Sequence, residues 1–346
     1  MKKREHSLYM FESYRAAFAE VVSFCQLANP GDVCFCIGPG GAGKSEMAAL
    51  IGESVYGPAE SWIPRTQPYV HVGADLEEQS FFTPKAFMRK LLSDLKDPFT
   101  CQQAEVADWE IHPDVKRALM LRSRFERRFN QTEAEMRSAF ISVARLLKVS
   151  LIIIDEANMF LISPKSRTPT DYLESVRRLG DQVGCPIVLF GTTDLIKLLD
   201  YSAQLNRRIN KTHIGQMRCR SDSEKGDFIA FLTSIESDFN LESGLLANNP
   251  AKIFEWTYGI PGEILGLVEK SRYKAARRGI IDVDFQALLD ARKSDAELKR
   301  CVEEADAIES IMTNKPLVKV PRVIDQRGTA RRGRKPSRTL NGNSEQ

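Results

Sequence analysis

One short segment constrains the fold of this 346-residue chain more than any other. Residues 38–45 read GPGGAGKS and fit the pattern GxxxxGK[ST] in full. An apolar run at 33–37 precedes the segment and a helical pattern at 44–56 follows it, which is the strand–loop–helix context that the motif requires. A loop of this kind presents backbone N–H groups to phosphates, and the following helix adds a favourable dipole. An accidental glycine-rich turn is the alternative, and the flanking strand and helix count against it.

The residue types in this loop predict a nucleoside triphosphate site. Lys44 is placed to reach the β- and γ-phosphates, and the Ser45 hydroxyl is placed to bind Mg²⁺. We therefore expect ATP and Mg²⁺ as cofactors. The predicted nucleotide-binding residues are Gly38, Pro39, Gly40, Gly41, Ala42, Gly43, Lys44, Ser45 and Glu46.

A pair of acids ends the apolar run at 149–154. Asp155 and Glu156 follow that run directly. The first carboxylate is suited to holding Mg²⁺, directly or through water, and the second to orienting and deprotonating an attacking water. A solvated acidic strand end is the alternative. Together with the glycine-rich loop, the pair predicts nucleotide hydrolysis.

Short apolar runs alternate with helical periodicity through the first 220 residues. This alternation predicts an α/β fold with a parallel sheet, flanking helices and right-handed crossovers. Strands are predicted at 33–37, 69–72, 149–154 and 186–190, and helices at 8–28, 44–56, 84–95, 113–147 and 172–183, the last with Thr170 as its cap.

Beyond about residue 220 only helical patterns remain. Four of them are predicted, at 228–235, 251–258, 263–278 and 285–291. We therefore expect a nucleotide-binding α/β core over 1–220 and a small all-helical lid domain over 221–313. Residues 315–346 hold nine Lys or Arg, two acids and no aromatic residue. Too little apolar surface is left there to form a core, so the segment 314–346 is predicted to be a disordered basic tail.

The composition fits an ordinary globular protein, with 42% hydrophobic and 27% charged residues. No apolar run approaches the roughly 20 residues of a membrane span, and the N-terminus lacks the apolar region of a signal peptide. Seven cysteines are scattered without a CxxC pair, which favours a reducing compartment. Cytoplasm is the expected location, and Cys34 and Cys36 are predicted to be buried strand thiols.

The order of these motifs resembles an AAA+ ATPase over about residues 8–290. The glycine-rich loop and the Asp155-Glu156 strand end are followed by FGTT at 190–193 and by LNRRI at 205–209. An AAA+ protein has a parallel sheet with flanking helices and a small helical lid. That agrees with the fold class that the periodicity predicts.

The resemblance implies two further site residues. A polar residue that ends the strand after the acidic pair senses the γ-phosphate in AAA+ proteins, and Thr192 matches it best, with Thr193 as the near alternative. An arginine some 15 residues later reaches the neighbouring subunit's nucleotide, where it neutralises transition-state charge. Arg208 fits this role best and Arg207 second. An exposed helix end is the alternative for both arginines.

One departure from the AAA+ pattern lies in the lid. Many AAA+ proteins carry a second sensing arginine near the place where this chain has GIPGE, at 259–263. Glycine and glutamate occupy those positions here. The departure implies weaker closure of the lid on the nucleotide, or a substitute at Lys270 or Arg272.

Within the AAA+ class, the chain resembles the TnsC/TniB transposition regulators. The resemblance rests on the compact core, the GTTD strand end, the lid segment 258–279 and the basic tail. It implies an ATP-bound homo-oligomer, a ring or a filament, that assembles on double-stranded DNA and connects a target-selection protein to a transposase. Origin-binding and helicase-loading proteins share much of the pattern, and an ATP-binding adaptor with little hydrolysis is a further alternative.

A basic stretch between the second and third predicted strands is one candidate for DNA contact. Arg117, Arg124 and Arg128 fall at spacings of seven and four, so they can share one helical face toward phosphates. An ordinary exposed helix is the alternative.

The tail holds a second candidate for DNA contact. Arg332-Gly333-Arg334 resembles the core of an AT-hook, which lies in the narrow minor groove of A·T-rich DNA. A lysine follows Arg334, where the commonest form of that motif has proline. A solvated basic tail is the alternative.

Overall fold

The structure of the protein is a computed structural model that describes residues 9–74, 81–97, 113, 131–162, 169–197, 209–280 and 282–312. All of these residues belong to one compact unit, Met1–Lys315. Across those ranges, no helix is both long enough and apolar enough to span a bilayer.

Five parallel strands form the central sheet, in the order β2-β3-β4-β1-β5. The strands are β1 Val33–Ile37, β2 Tyr69–Gly73, β3 Leu151–Asp155, β4 Ile187–Gly191 and β5 Ile209–His213. The register sets Ile37 beside Gly191 and Gly73 beside Asp155. The carboxyl ends of β1, β3 and β4 therefore meet at one edge of the sheet, where open α/β folds bind their ligands.

Helices cover both faces of the sheet and continue beyond its last strand. They are α1 Glu12–Leu27, α2 Lys44–Tyr56, α3 Pro84–Asp94, α4 Glu133–Leu146, α5 Pro169–Val183, α6 Asp194–Lys197, α7 Asp222–Phe239, α8 Pro250–Thr257, α9 Pro261–Arg277, α10 Phe285–Ala291 and α11 Asp295–Met312.

Strands β1, β3 and β4 are buried on both faces because helices cover both. In β1, Phe35 packs in the cluster formed with α3, α4 and α5. Cys34 and Cys36 point the other way, toward α1 and α2. Their exposures of 2% and 0% confirm the prediction of buried strand thiols. Burial raises the pKa of both thiols, so they are unreactive apolar side chains.

The core on the α1 face is continuous from the N-terminus to α10. It joins Phe11 and Tyr14 to Phe228 and Leu232 of α7 and to Leu288 of α10. Residues on both sides of the predicted boundary near 220 thus share one apolar cluster. The division into a core and a lid stays a prediction.

Helices α6 and α11 were not among the predicted helices, and three other elements also differ from the sequence-based expectation. Strand β5 was not predicted, because INKTH is a polar edge strand that buries only Ile209 and Thr212. Helix α5 begins at Pro169, so Thr170 lies inside its first turn and not at its cap. Helix α7 begins at Asp222, six residues before the predicted start, because Ser221 and Glu224 form a capping box.

Candidate nucleotide-binding site

The loop between β1 and α2 has a backbone that suits glycine. Gly41 and Gly43 have φ values of 77° and 90°, in the left-handed region, which glycine enters at little cost. Gly43 precedes α2, and no side chain caps that helix. The N–H groups of its first turn therefore stay available to an anion.

Lys44 is held inside this loop. Its side chain is 8% exposed. Its Nζ donates hydrogen bonds of 2.8 Å to the carbonyls of Gly38 and Pro39. The ammonium group is thus positioned by the loop backbone itself.

Burial sets the electrostatics of this lysine. Desolvation lowers the pKa of Lys44, and the nearby carboxylates of Glu304, Glu156 and Asp155 oppose that change, Glu304 most strongly. A cation in this position is poorly solvated, so it gains much from an anionic ligand.

The acidic strand end forms a tight turn beside the loop. Asp155 is 9% exposed, and its Oδ1 accepts a hydrogen bond of 2.8 Å from the N–H of Glu156. Glu156 has a φ of 53°, a left-handed conformation that costs a non-glycine residue on the order of 1 kcal/mol. This turn places Glu156 in the lining of a cavity that it shares with the phosphate loop. Strained backbone of this kind is frequent at functional sites.

A cavity of about 390 Å³ lies between the loop, the strand ends and the C-terminal helices. The phosphate loop, Glu156 and Thr192 supply polar groups to its lining, and the N-terminal segment, α7 and α9 supply mainly apolar and aromatic side chains. Its lining residues are Tyr9, Phe11, Tyr14, Gly40, Gly41, Ala42, Gly43, Lys44, Ser45, Glu46, Glu156, Thr192, Phe231, Ser234, Ile235, Asp238, Pro261, Gly262 and Leu265.

The structure separates the two threonines that follow β4. Thr192 lines the cavity, and its carbonyl accepts a 3.0 Å hydrogen bond from the N–H of Leu195 at the start of α6. Thr193 is not among the described residues that line the cavity. The geometry therefore favours Thr192 over Thr193 for contact with a ligand.

The start of α9 contacts the phosphate loop directly. The N–H of Gly262 donates a 2.8 Å hydrogen bond to the carbonyl of Gly41. A Cβ on Gly262 would stand 2.6 Å from the Cα of Gly41, closer than such atoms approach. Close packing against Gly41 therefore explains why a glycine occupies position 262 in the GIPGE segment. The resemblance to AAA+ proteins gave no such explanation. Next to it, Glu263 pairs with Lys293 at 2.5 Å.

The two proposed substitutes for the lid arginine point elsewhere. Lys270 is exposed, and the guanidinium of Arg272 lies over the ring of Phe239 at 5.9 Å. Neither belongs to the described lining of the cavity.

Sequence reasoning missed the apolar lining of the cavity and one buried amide. Phe11 and Phe231 read only as members of helical faces, and Tyr9 had no signal of its own. The amide oxygen of Asn158, just after the acidic pair, is buried and has no hydrogen-bond partner among the described residues. A polar residue two positions after Glu156 was its one available signal.

The remaining predicted site residues cannot be placed. Two groups of them lie outside the described residues. The first is the pair of candidate arginines for the neighbouring subunit's site, Arg207 and Arg208. The second is the set of DNA-contact candidates, Arg117, Arg124, Arg128, Arg332 and Arg334.

Residues 113–218 match the family model described as Bacterial TniB protein. The match contains the acidic pair, Thr192 and both candidate arginines, and it begins after the phosphate loop. No curated protein matches the sequence.

Two solved structures are similar over most of the chain. The Walker-type ATPase PABY2304 of Pyrococcus abyssi is 16% identical, with a TM-score of 0.53 over 91% of this chain and 77% of that one. The ORC2 protein of Aeropyrum pernix, solved as ADPNP–ADP complexes, is 14% identical, with a TM-score of 0.52 over 83% and 69%. At these identities the likeness concerns the fold, and the chain has the fold of AAA+ P-loop ATPases.

Proposed function

We propose that this chain, which has an AAA+ fold and resembles the TniB family, is an ATP-hydrolysing switch that assembles on double-stranded DNA and regulates transposition. The observation that carries the proposal is one cavity that brings together Lys44, Glu156 and Thr192 from three separate segments. A phosphate-binding cation, an acid and a polar strand end converge where P-loop enzymes bind the triphosphate.

The lining of the cavity suits both the phosphates and the base of a nucleoside triphosphate. The first turn of α2 and the buried ammonium of Lys44 offer hydrogen bonds and positive charge to phosphates. Phe11, Phe231 and Leu265 line the same cavity and would offer apolar surface to a flat base. ATP is the proposed ligand.

Ser45 and Asp155 would hold Mg²⁺ between the protein and the phosphates. A hydroxyl and a carboxylate are the oxygen donors that Mg²⁺ prefers, and this ion usually completes its shell with water and phosphate. Bound Mg²⁺ would supply charge neutralisation on the phosphate oxygens. Glu156 would orient the attacking water and take its proton, and Thr192 would donate a hydrogen bond to the γ-phosphate.

Assembly and DNA contact depend on residues beyond the cavity. Arg208, or Arg207, would enter the neighbouring copy's nucleotide site, so that ATP joins subunits and hydrolysis separates them.

Duplex DNA would be contacted by two groups of arginines. The phosphates would be bound by Arg117, Arg124 and Arg128. The minor groove would be bound by Arg332 and Arg334 of the tail. The TniB match supports a transposase and a target-selection protein as partners. The similarity to ORC2 keeps another DNA-associated AAA+ role, in replication initiation or helicase loading, as the alternative.

An ATP-binding adaptor with little turnover is the second candidate. The observation that favours it is Glu263, which stands where many AAA+ proteins have a sensing arginine and which pairs with Lys293. A site without that arginine has less positive charge on the transferring phosphate.

Steady-state ATP hydrolysis, measured with and without duplex DNA, tests the enzyme proposal. We expect Lys44→Ala to lose nucleotide binding, and Glu156→Gln to bind but to hydrolyse about 100-fold more slowly or worse. Glu53→Gln, an exposed carboxylate change near the far end of α2, is the matched control and should match the wild type. An unchanged rate in Glu156→Gln would overturn the catalytic assignment, and negligible wild-type turnover would favour the adaptor.

Imaging on DNA with a slowly hydrolysed ATP analogue tests the assembly proposal. Ordered multimers that disappear in Arg208→Ala would support it, with Arg207→Ala as the paired comparison. Isolated monomers on DNA would contradict it.

A further inference from the structure

An acidic residue of the last described helix stands beside the phosphate loop. Glu304 belongs to α11, and one of its carboxylate oxygens lies 3.9 Å from the point where a Cβ on Gly40 would stand. Gly40 belongs to the loop that is built to receive phosphates. The carboxylate therefore occupies space next to the place where the ligand's negative charge would lie.

Polar contacts fix α11 in this position. The Tyr258 hydroxyl donates a 2.8 Å hydrogen bond to Asp306, and Arg218 pairs with Glu309 at 2.9 Å. Ala305 and Ile308 of the same helix are buried. These contacts lie within five residues of Glu304 on its C-terminal side, so the position of its backbone does not depend on one flexible side chain.

Glu304 also acts on the charge of the site. Burial lowers the pKa of Lys44, and Glu304 is the carboxylate that most strongly counteracts this effect, ahead of Glu156 and Asp155. Glu304 therefore favours the charged form of Lys44, and its own negative charge partly offsets the positive potential that would attract phosphate. Two anions, the carboxylate and a phosphate, would repel each other beside one cation.

We infer that Glu304 is an autoinhibitory carboxylate, which competes with nucleotide phosphates for the loop around Gly40 and Lys44, so that nucleotide loading displaces α11. The inference rests on the proposed nucleotide site and adds a regulatory element to it.

The test is the affinity for fluorescently labelled ATP and ADP at fixed Mg²⁺ in the full chain. Glu304→Gln keeps the size and shape of the side chain and removes its charge. We expect its Kd to fall by about fivefold or more, within the usual range of coupling between sites. Glu303→Gln is the matched control, because that neighbouring side chain is 65% exposed and pairs with Lys299 at 3.9 Å. Its Kd should equal that of the wild type.

Hydrogen exchange provides the second readout. In the wild type, amides of 295–310 should exchange faster when nucleotide is bound, and in Glu304→Gln this increase should be smaller, because the repulsion that displaces α11 is removed. An unchanged or weaker affinity in Glu304→Gln overturns the inference, as does exchange in α11 that nucleotide leaves unaltered.

These failures are distinguishable from failure of the proposed function. If the wild type binds nucleotide in a Lys44-dependent way and Glu304→Gln binds no more tightly, only the autoinhibitory role is wrong. If neither protein binds nucleotide, the proposed function and the inference are both wrong.

Discussion

The amide of Gly262 is hydrogen-bonded to the carbonyl of Gly41 over 2.8 Å, so the first turn of α9 rests on the backbone of the phosphate loop. There is no room for a side chain between the two. A Cβ on Gly262 would lie 2.6 Å from the Cα of Gly41. The C-terminal helices are therefore in direct contact with the loop that we expect to bind phosphate.

Gly262→Ala should push α9 away from the loop. We expect the Kd for nucleotide to rise about tenfold, which corresponds to about 1.4 kcal/mol, and the free energy of unfolding to fall by about 1–3 kcal/mol. Nucleotide titration and urea unfolding measure the two effects. Gly266→Ala is the control on the same helix, because a Cβ there meets nothing within 4 Å. It should be neutral or stabilising, since alanine is the better helix former, and equal effects of the two substitutions would contradict the packing argument.

Glu156 should show opposite effects on stability and on activity. Its φ of 53° is unfavourable for glutamate and easy for glycine. We expect Glu156→Gly to unfold at a urea concentration no lower than that of the wild type, while hydrolysis falls at least as far as in Glu156→Gln. A strongly destabilised Glu156→Gly would show that the carboxylate supports the fold.

Asp94 should make stability depend on pH. Burial raises the pKa of Asp94 from 3.8 to about 6, despite hydrogen bonds from the N–H of His71 and the amide of Gln67. The folded state thus holds this proton more tightly than the unfolded chain does. The stabilisation is fully present below about pH 4 and is lost as the pH rises through about 6, and it amounts to at most about 3 kcal/mol.

Asp94→Asn keeps an acceptor oxygen and cannot ionise, so it isolates this effect. The difference in unfolding free energy between wild type and Asp94→Asn, followed from pH 4 to pH 7, should change in favour of the variant. A difference that stays constant over this range would show that Asp94 does not titrate with a raised pKa.

Glu236 should be important for the fold and not for the chemistry. Its buried carboxylate accepts hydrogen bonds from the N–H groups of Gly244, Leu246 and Ala247, at 2.9, 2.6 and 2.8 Å. Glu236→Gln leaves one oxygen where two accepted, so we expect a loss of about 1–3 kcal/mol in urea unfolding. Glu242→Gln, an exposed change in the same region, should leave stability within about 0.5 kcal/mol of the wild type.

The sequence predicts the part of the site that depends on local pattern. Residues 38–45 and the Asp155-Glu156 pair are contiguous motifs that need particular backbone geometry, and the described loop and strand end adopt it. Strands β1, β3 and β4 could be predicted for the same reason, because a strand buried on both faces is a nearly continuous apolar run. Strand β5 could not, since only Ile209 and Thr212 of that edge strand turn inward.

The rest of the cavity depends on contacts between distant segments. Tyr9, Phe231 and Leu265 come from the N-terminus, α7 and α9, and no spacing rule connects them. Glu304 lies some 260 residues beyond Lys44 in the sequence, on a helix that has no motif. In the sequence, Gly262 stands near the place where many AAA+ proteins have a sensing arginine. Only the structure shows that this glycine allows α9 to pack directly against Gly41.

The unbroken apolar cluster that joins the N-terminus to α7–α10 restricts how this protein can move. The Tyr9 and Phe231 rings lie 5.5 Å apart. A large hinge motion of α7–α10 away from the N-terminal segment would therefore disrupt this packing and expose apolar side chains to water. Small sliding adjustments are the motions that such packing permits. Helix α11, by contrast, buries Ala305 and Ile308 among its described side chains and is otherwise held by polar contacts. We therefore expect α11 to detach from the described unit while the packing of α7–α10 on the N-terminal segment stays unchanged.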